Sequence, residues 1–361
     1  EAIAAFESAL QIAPRMTGAH INLAGVFLAT QRYAEAADHC HAALELDPHS
    51  PEAVMNLANA MRSMGCKTEA DNMVWQHVSA SEQVEDPFPL EPVLCNRWSP
   101  SGTPPLVVVC VKWGTRYDAA YVNRLFHGVK RHIGKPDVPF VCYTEDPVGL
   151  DPGIEVRSLP SSLKLWWGKA YLFSEEAGLD GHRVLFLDLD QVIVGSLASL
   201  ADYSGPFALL STDGIACELA AGGYNSSVMA WESSTFFRCI YSRLTEAVLK
   251  YVVRFDHWLE MNIVGADLWQ RIAPGAVLDY TTVFRGGVCL GGTVVEEEIA
   301  STAFRDATDN FSQDVEAAPE GEELLSTAAL VTFPRYPKPH EVLAQHTWLR
   351  EHWLAAALQG S

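Results

Sequence analysis

The chain is short of basic residues. Its 25 Lys and Arg stand against 45 Asp and Glu, a formal charge of −20 over 361 residues. Nucleic-acid binding needs a basic footprint to neutralise phosphates, so no nucleic-acid partner is expected. An anionic ligand must instead be met by a metal or by a few placed Lys and Arg. Long apolar runs are also missing: no stretch approaches the roughly 18 residues needed to cross a bilayer. No integral membrane segment and no signal peptide are therefore expected. The eight cysteines (Cys40, Cys66, Cys95, Cys110, Cys142, Cys217, Cys239 and Cys289) form no Cys-x-x-Cys pair, and several sit in apolar runs. Neither a zinc site nor a disulfide framework is signalled, and reduced core thiols make a cytoplasmic protein the expectation. The opening EAIAAFESAL carries no initiator Met, which leaves targeting open.

What is present suffices for two globular domains, with 48% hydrophobic and 19% charged residues. The first eighty residues repeat themselves. EAIAAFESALQIAP, ending at Pro14, returns as EAADHCHAALELDP, ending at Pro48, and HINLAGVFLA returns as VMNLANAMRS, each offset by 34 residues. That is the tetratricopeptide period. Small residues (Ala9, Ala24, Ala43, Ala58) stand where helices approach closely, large ones (Leu10, Leu23, Leu44, Leu57) fill the stack, and Pro51 opens a helix. Residues 1–80 thus resemble tetratricopeptide repeats, with a degenerate last unit, KTEADNMVWQHVSA, as the terminal capping helix. The resemblance implies a groove for a protein or peptide partner; a purely structural extension is the alternative.

Between Ser79 and Pro105 Pro and Ser dominate without any sustained period, so residues 81–105 read as a linker. Beyond it strands alternate with helices. LVVVCVKWG is a continuous β-branched run, the mark of a strand buried on both faces of a parallel sheet. RYDAAYVNRLFHGVKRHI follows at helical spacing; VPFVCYTED and IEVRSLP are further strands, LWWGKAYLFSEEAGL reads as an amphipathic helix, and RVLFLDLDQVIVG as the next strand. The fold class expected is therefore α/β, an all-α repeat array followed by a domain at 106–355, with ligands beyond the carboxyl ends of its strands. An acidic, Gly- and Ala-rich stretch around 293–326 reads as an insertion, and TWLREHWLAAAL as a closing helix.

Asp188 and Asp190 interrupt the last of these strands, in LFLDLDQVI. Residues i and i+2 of a strand point the same way, so the two carboxylates can converge on one cation. In an apolar setting they repel each other and resist desolvation unless a cation or donors compensate them. Two chemistries use such a pair. DLDQVI fits the short pattern of haloacid-dehalogenase-type phosphatases, with Asp188 as nucleophile, but that motif opens its domain, whereas about three strands precede it here. The placement instead resembles the D-x-D of GT-A fold nucleotide-sugar glycosyltransferases.

Further segments carry that resemblance. GGYNSSVMAWE is similar to the segment after D-x-D in glycosyltransferase family 8, HWLEMNIVGADLWQRI to its D-Q helix, and VTFPRYPKPHEV to its H-F-x-G-x-x-K-P-W segment. The domain at 106–355 therefore resembles a Rossmann-like GT-A domain with a mixed, mostly parallel sheet. The resemblance implies a metal-dependent transferase, with retention of configuration, using a nucleoside-diphosphate sugar, uridine before guanosine. It places Mn2+ or Mg2+ on Asp188 and Asp190; Thr332 stands where family 8 has its metal-binding His, and either His340 substitutes as third ligand or diphosphate oxygens and waters complete the shell. Asp267 and Asn225 take the catalytic positions. Donor binding falls to Lys112, Trp113, Gly114, Thr115, Thr144, Lys169, Asp188, Ser226 and Lys338, with Tyr117 also in the base loop and Tyr143 and Glu145 ending the second strand beside it. A scaffold that has lost turnover is the competing reading, because of Thr332.

Overall fold

The computed structural model describes residues 2–82, 91–213, 215, 222–285, 321–334 and 337–354. Most of the insertion expected around 293–326 and the end of the expected closing helix lie outside the described residues. The described chain forms two compact units.

The first unit is helical. Helices α1 (Ala2–Ile12), α2 (Thr17–Ala29), α3 (Tyr33–Leu46), α4 (Pro51–Ser63) and α5 (Lys67–Glu82) stack as consecutive neighbours. Leu23, Ala24, Ala43, Leu57 and Ala58 are all buried, as the repeat pattern requires. Ser50 caps α4 by accepting the Ala53 amide at 3.3 Å, and Pro51 takes the first helical position.

The stack does not end at α5. Residues 243–262, which the sequence reading kept inside the 106–355 domain, belong to this unit. They form α9 (Glu246–Tyr251) and α10 (Phe255–Asn262), and α9 packs on α4 and α5. The face of α5 that looked like a terminal cap is therefore covered. Within the unit Arg62 is buried between acids: its guanidinium meets Glu260 of α10 at 2.6 Å and also pairs with Asp71, while Lys67 reaches Glu260 at 2.7 Å.

The second unit is α/β. Its main sheet holds, in spatial order, β10 (Asp267–Leu268), β7 (Phe207–Ser211), β8 (Tyr224–Glu232), β5 (Arg183–Leu187), β2 (Leu106–Lys112), β3 (Phe140–Thr144) and β4 (Glu155–Ser158). Strands β5, β2, β3 and β4 run parallel, and β8 is antiparallel to both β5 and β7. A small sheet joins β6 (Gln191–Ile193) to β12 (Leu330–Thr332) and β11 (Val277–Asp279).

Both faces of the main sheet are covered, which is why β2 has no polar alternation. Val108, Cys110, Leu185 and Leu187 share one core with Val122, Leu125 and Phe126 of α6 (Ala119–His132). On the other face Phe173, Phe207 and Trp231 stack on one another. Each such fully buried side chain is worth about 1.5–3 kcal/mol.

Two sequence expectations need correction. The expected linker is not featureless: Val93–Leu94 form β1, pairing in parallel with β9 (Ile263–Val264), and Cys95 behind them is buried. The segment expected as an amphipathic helix is a run of 3-10 turns at Leu165–Phe173. It is apolar on several sides, with Trp167, Ala170, Leu172 and Phe173 all buried, so no single stripe defines an α-helical face. Gly168 lets it approach the sheet, since a Cβ there would lie 3.1 Å from Val111 Cγ1.

The buried ionic cluster gives two expected outcomes. Arg62→Met takes the guanidinium from Asp71 and leaves Glu260 with Lys67 alone, and should lower the unfolding free energy of the helical unit by about 3–5 kcal/mol, measured by urea denaturation followed by circular dichroism. Burial, helped by the charges of Arg62, Arg254 and Lys67, holds His257 well below its ordinary value of 6.5. The unfolded chain then binds a proton that the folded chain refuses, so this histidine's contribution falls as pH drops below about 6.5. Asp71, pushed up to about 6 by burial against the pull of Arg62, acts with the opposite sign. The stability difference between wild type and His257→Gln, taken from pH 7.5 to 5.5 in roughly half-unit steps, isolates the histidine; a flat difference contradicts the assignment.

Candidate active site

The site is built where the parallel strands end. From β2 the chain runs first to β3 and β4 on one side, then returns to β5 on the other. That reversal opens the sheet's crevice between the carboxyl ends of β2 and β5. Asp188 follows β5 directly; its amide still donates to the Ser227 carbonyl of β8 at 2.9 Å. A turn closed by the Gln191 amide on the Asp188 carbonyl then starts β6. The two acids therefore flank a turn at the strand's end, and Leu189 between them is buried in the core.

Each acid is held by a lysine. Lys169, carried by the 3-10 segment, donates to Asp188 Oδ2 at 2.7 Å and to Ser226 Oγ at 3.1 Å. Lys338 donates to Asp190 Oδ2 at 2.6 Å and to the Phe333 carbonyl at 2.8 Å. The Asp190 carboxylate also accepts from the Tyr117 hydroxyl at 3.0 Å and from Gln191 Nε2 at 3.3 Å. The Lys338–Asp190 pair is nearly sealed, at 6% and 10% exposure, and the Lys169–Asp188 pair more open, at 12% and 24%. Burial alone would raise the Asp190 carboxyl, but the Lys338 charge, hydrogen bonds from Lys338 and Tyr117, and the Lys169 charge hold it below its ordinary value. The Tyr117 hydroxyl is pushed up by burial and by Asp190.

A second cluster closes the ends of β2 and β3. Lys112 is buried, with its ammonium on the Asp146 carbonyl at 3.2 Å and carboxylate at 3.4 Å. Thr144, in register with Lys112, exchanges hydrogen bonds with the Asp146 backbone at 3.0 and 3.1 Å. The Gly114 amide donates to the Glu145 carboxylate. Trp113 is half-buried and Thr115 exposed on the same loop. Tyr143 is turned away, its buried hydroxyl donating to the Ala177 carbonyl at 2.6 Å.

Three expected residues stand elsewhere or are otherwise engaged. Asp267 pairs with Ala208, near the amino end of β7, and accepts the Tyr203 hydroxyl at 2.7 Å. Since β7 runs with β5, this lies toward the opposite edge of the sheet. The polar residue that does reach the carboxyl edge is Gln270, whose amide clasps both backbone groups of Ser211 at 3.0 and 2.8 Å. Asn225 Oδ1 accepts the Ser227 amide at 3.0 Å and so shapes the start of β8. His340 is exposed and its Nδ1 meets the Tyr121 hydroxyl.

The donor set does not fit the expected Mn2+ or Mg2+ as it stands. Asp188 Oδ2 holds the Lys169 ammonium, and the Asp190 carboxylate holds the Lys338 ammonium, the Tyr117 hydroxyl and the Gln191 side-chain amide, so a cation would compete with an ammonium group at each acid. Thr332 does lie opposite Gln191, beside the acids, but its hydroxyl oxygen accepts a hydrogen bond from Gln191 Nε2 at 3.0 Å. Among the described residues no three His, Cys, Asp or Glu side chains converge as a metal site would require. Sequence reasoning missed Gln191, Asp146 and Gln270. Only their adjacency to Asp190, Thr144 and Trp269 could have flagged them.

The tetratricopeptide repeat family model matches residues 27–74. No curated protein sequence matches the chain significantly. Among solved structures, the galactosyltransferase LgtC, in complex with donor and acceptor sugar analogs, is 14% identical, with a TM-score of 0.43 over 70% of this chain and 95% of its own. The glycosyltransferase GlyE of Streptococcus pneumoniae TIGR4 is 15% identical, with a TM-score of 0.40 over 70% of this chain and 63% of its own. A mutant O-GlcNAc transferase of Thermobaculum terrenum is 18% identical over 42% of this chain and 34% of its own, with a TM-score of 0.22. No helix among the described residues is long and apolar enough to cross a membrane.

The site carries a pH signature of known sign. Asp190 titrates below its ordinary value of 3.8 in the folded chain, so its contribution to stability is complete above that value. It is lost as pH falls through the lower, folded value. The stability difference between wild type and Asp190→Asn should therefore be constant near neutrality and shrink only in acid; a difference that grows in acid contradicts the pairing with Lys338.

Proposed function

We propose that the α/β domain is a glycosyltransferase that takes a sugar from a nucleoside diphosphate, uridine first and guanosine second, and transfers it to an acceptor hydroxyl. The observation that carries this reading is the meeting of Asp188, Asp190, Lys169 and Lys338 at the carboxyl end of β5, beside the sheet's switch point. Lys112 and Thr144, one and two strands away, extend the polar floor in the direction a nucleoside would lie. The resemblance of GGYNSSVMAWE and VTFPRYPKPHEV to family 8 points the same way and favours retention of configuration.

In the transfer, the bond between the anomeric carbon and the β-phosphate oxygen breaks, and its electron pair stays on that oxygen. The acceptor hydroxyl oxygen bonds to the anomeric carbon, and its proton passes to the departing phosphate. Ammonium groups beside that phosphate stabilise the charge as it develops, with no proton transfer of their own. Lysine suits this task as a compact point charge with three donors. Ser226 positions Lys169, and Tyr117 and Gln191 position Asp190. The repeats recruit a protein partner or acceptor through an extended segment, the usual use of such stacks.

A second reading has one observation in its favour: with Thr332 spent on Gln191 and both acids capped, the domain is a nucleotide-binding scaffold without turnover. The phosphatase reading fits less well, because Asp188 follows the fourth strand of the sheet in chain order, not the first.

Thermal-shift measurements with UDP and GDP, with and without Mn2+, followed by release of nucleotide from donor sugars, separate these readings. Binding at about a hundred times Kd adds about 2.7 kcal/mol of stability. Lys112→Met should weaken nucleotide binding about tenfold or more. Stabilisation with turnover supports the transferase, and stabilisation without turnover the scaffold. Phosphate release from simple phosphoesters, lost in Asp188→Asn, supports the phosphatase. Absence of stabilisation by any nucleotide removes both nucleotide readings.

A further inference from the structure

We propose that this site handles the donor diphosphate without a divalent metal, and that Lys169 and Lys338 supply the positive charge a metal would bring. The proposal rests on the nucleotide-sugar reading above and deepens it. Two carboxylates and two ammonium groups sum to zero, as two carboxylates and one divalent cation would. The places of the cation are accordingly taken from within the chain. Asp188 faces one ammonium at 2.7 Å and Asp190 the other at 2.6 Å.

The third-ligand position tells the same story. Thr332 is brought opposite Gln191 by the β6–β12 pairing, so the backbone needed to present a metal ligand beside Asp190 is in place. The side chain there is a hydroxyl, already accepting from Gln191. His340, the other candidate, is turned to Tyr121. A cation on Asp190 would have to displace Lys338 from a carboxylate it contacts directly, and in doing so strand an ammonium in a buried place.

The lysines are equipped for phosphate. Among the described residues each ammonium gives two N–H groups to protein oxygens, Lys169 to Asp188 and Ser226, Lys338 to Asp190 and Phe333. Each keeps a third N–H for an incoming anion. The gradient of exposure sets their roles. Lys169, on the more open pair, can turn from Asp188 to the phosphates, while Lys338, buried and held also by the Phe333 carbonyl, stays on Asp190 and contributes its charge and one donor. Asp188, relieved of its lysine, then faces the sugar hydroxyls as an acceptor.

Calorimetric titration of the full chain with UDP, once in excess EDTA and once in saturating Mn2+, tests this. The expected result is equal affinity in both buffers. Affinity in EDTA should fall about tenfold or more in Lys169→Met, and largely return in Lys169→Arg, which restores a cation without restoring the same geometry. Lys338→Arg serves as a second variant that keeps the buried Asp190 paired, and should change UDP affinity by the same factor in EDTA as in Mn2+. Circular dichroism on each variant confirms that it is folded. Binding that requires Mn2+ and is abolished by EDTA overturns the metal-free proposal and leaves the nucleotide-sugar reading standing. Failure to bind UDP and GDP in either buffer overturns both.

Discussion

Placing two carboxylates two residues apart at the end of a buried strand is affordable only if charge of the opposite sign arrives with them. The strand that ends at Leu187 is buried along most of its length, and Leu189 between the acids is itself core. Left alone, Asp188 and Asp190 would repel each other and pay desolvation at once. Lys169 and Lys338 remove that penalty, and the rest of the site follows from how they are delivered. The 3-10 segment, packed on the sheet through its apolar side chains, brings Lys169 to Asp188. The β6–β12 pairing fixes Phe333, whose carbonyl helps anchor Lys338 on Asp190.

This compensation separates what the sequence makes legible from what it hides. The 34-residue period carries its own signature, because each repeat buries the same small and large positions against its neighbour. The parallel strands are equally visible, since a strand covered on both faces can dispense with alternation, as LVVVCV does. The acids were legible as a pair because charge inside an apolar run is anomalous. Their partners were not: Lys169 lies 19 residues from Asp188 in sequence, and Lys338 lies 148 from Asp190. No local pattern encodes a contact of that span; only the fold brings it about.

The misplacements have similar physical origins. Asp267 sits in a segment similar to a family 8 helix, yet that segment enters the sheet as the two-residue strand β10, in register with the amino end of β7. A shift of three residues along the chain turns the polar position at the carboxyl edge from Asp267 to Gln270, and resemblance of sequence carries no register. The helices α9 and α10 escaped assignment to the repeats for another reason. Neither keeps the 34-residue spacing, and α10 is buried around nearly its whole circumference, so it shows no stripe by which to choose a partner. Its assignment comes from charge instead, through Glu260 against Arg62 and Lys67.

The same economy holds in both units. In the helical unit Arg62 and Lys67 balance Asp71 and Glu260, and in the α/β unit Lys169 and Lys338 balance Asp188 and Asp190. The difference lies in whether the balance is closed. Arg62 is held by two acids from two helices, so turning it away would break both contacts at once and leave its own charge buried, and such a cluster fixes structure rather than serving a ligand. Lys169 is held by one acid and one hydroxyl at the rim of a sheet crevice, with a donor to spare. An anion that offers an oxygen to Lys169 replaces one charge-assisted contact with another at small net cost. A buried ion pair that can exchange partners in this way is poised for binding, whereas one that cannot is architecture.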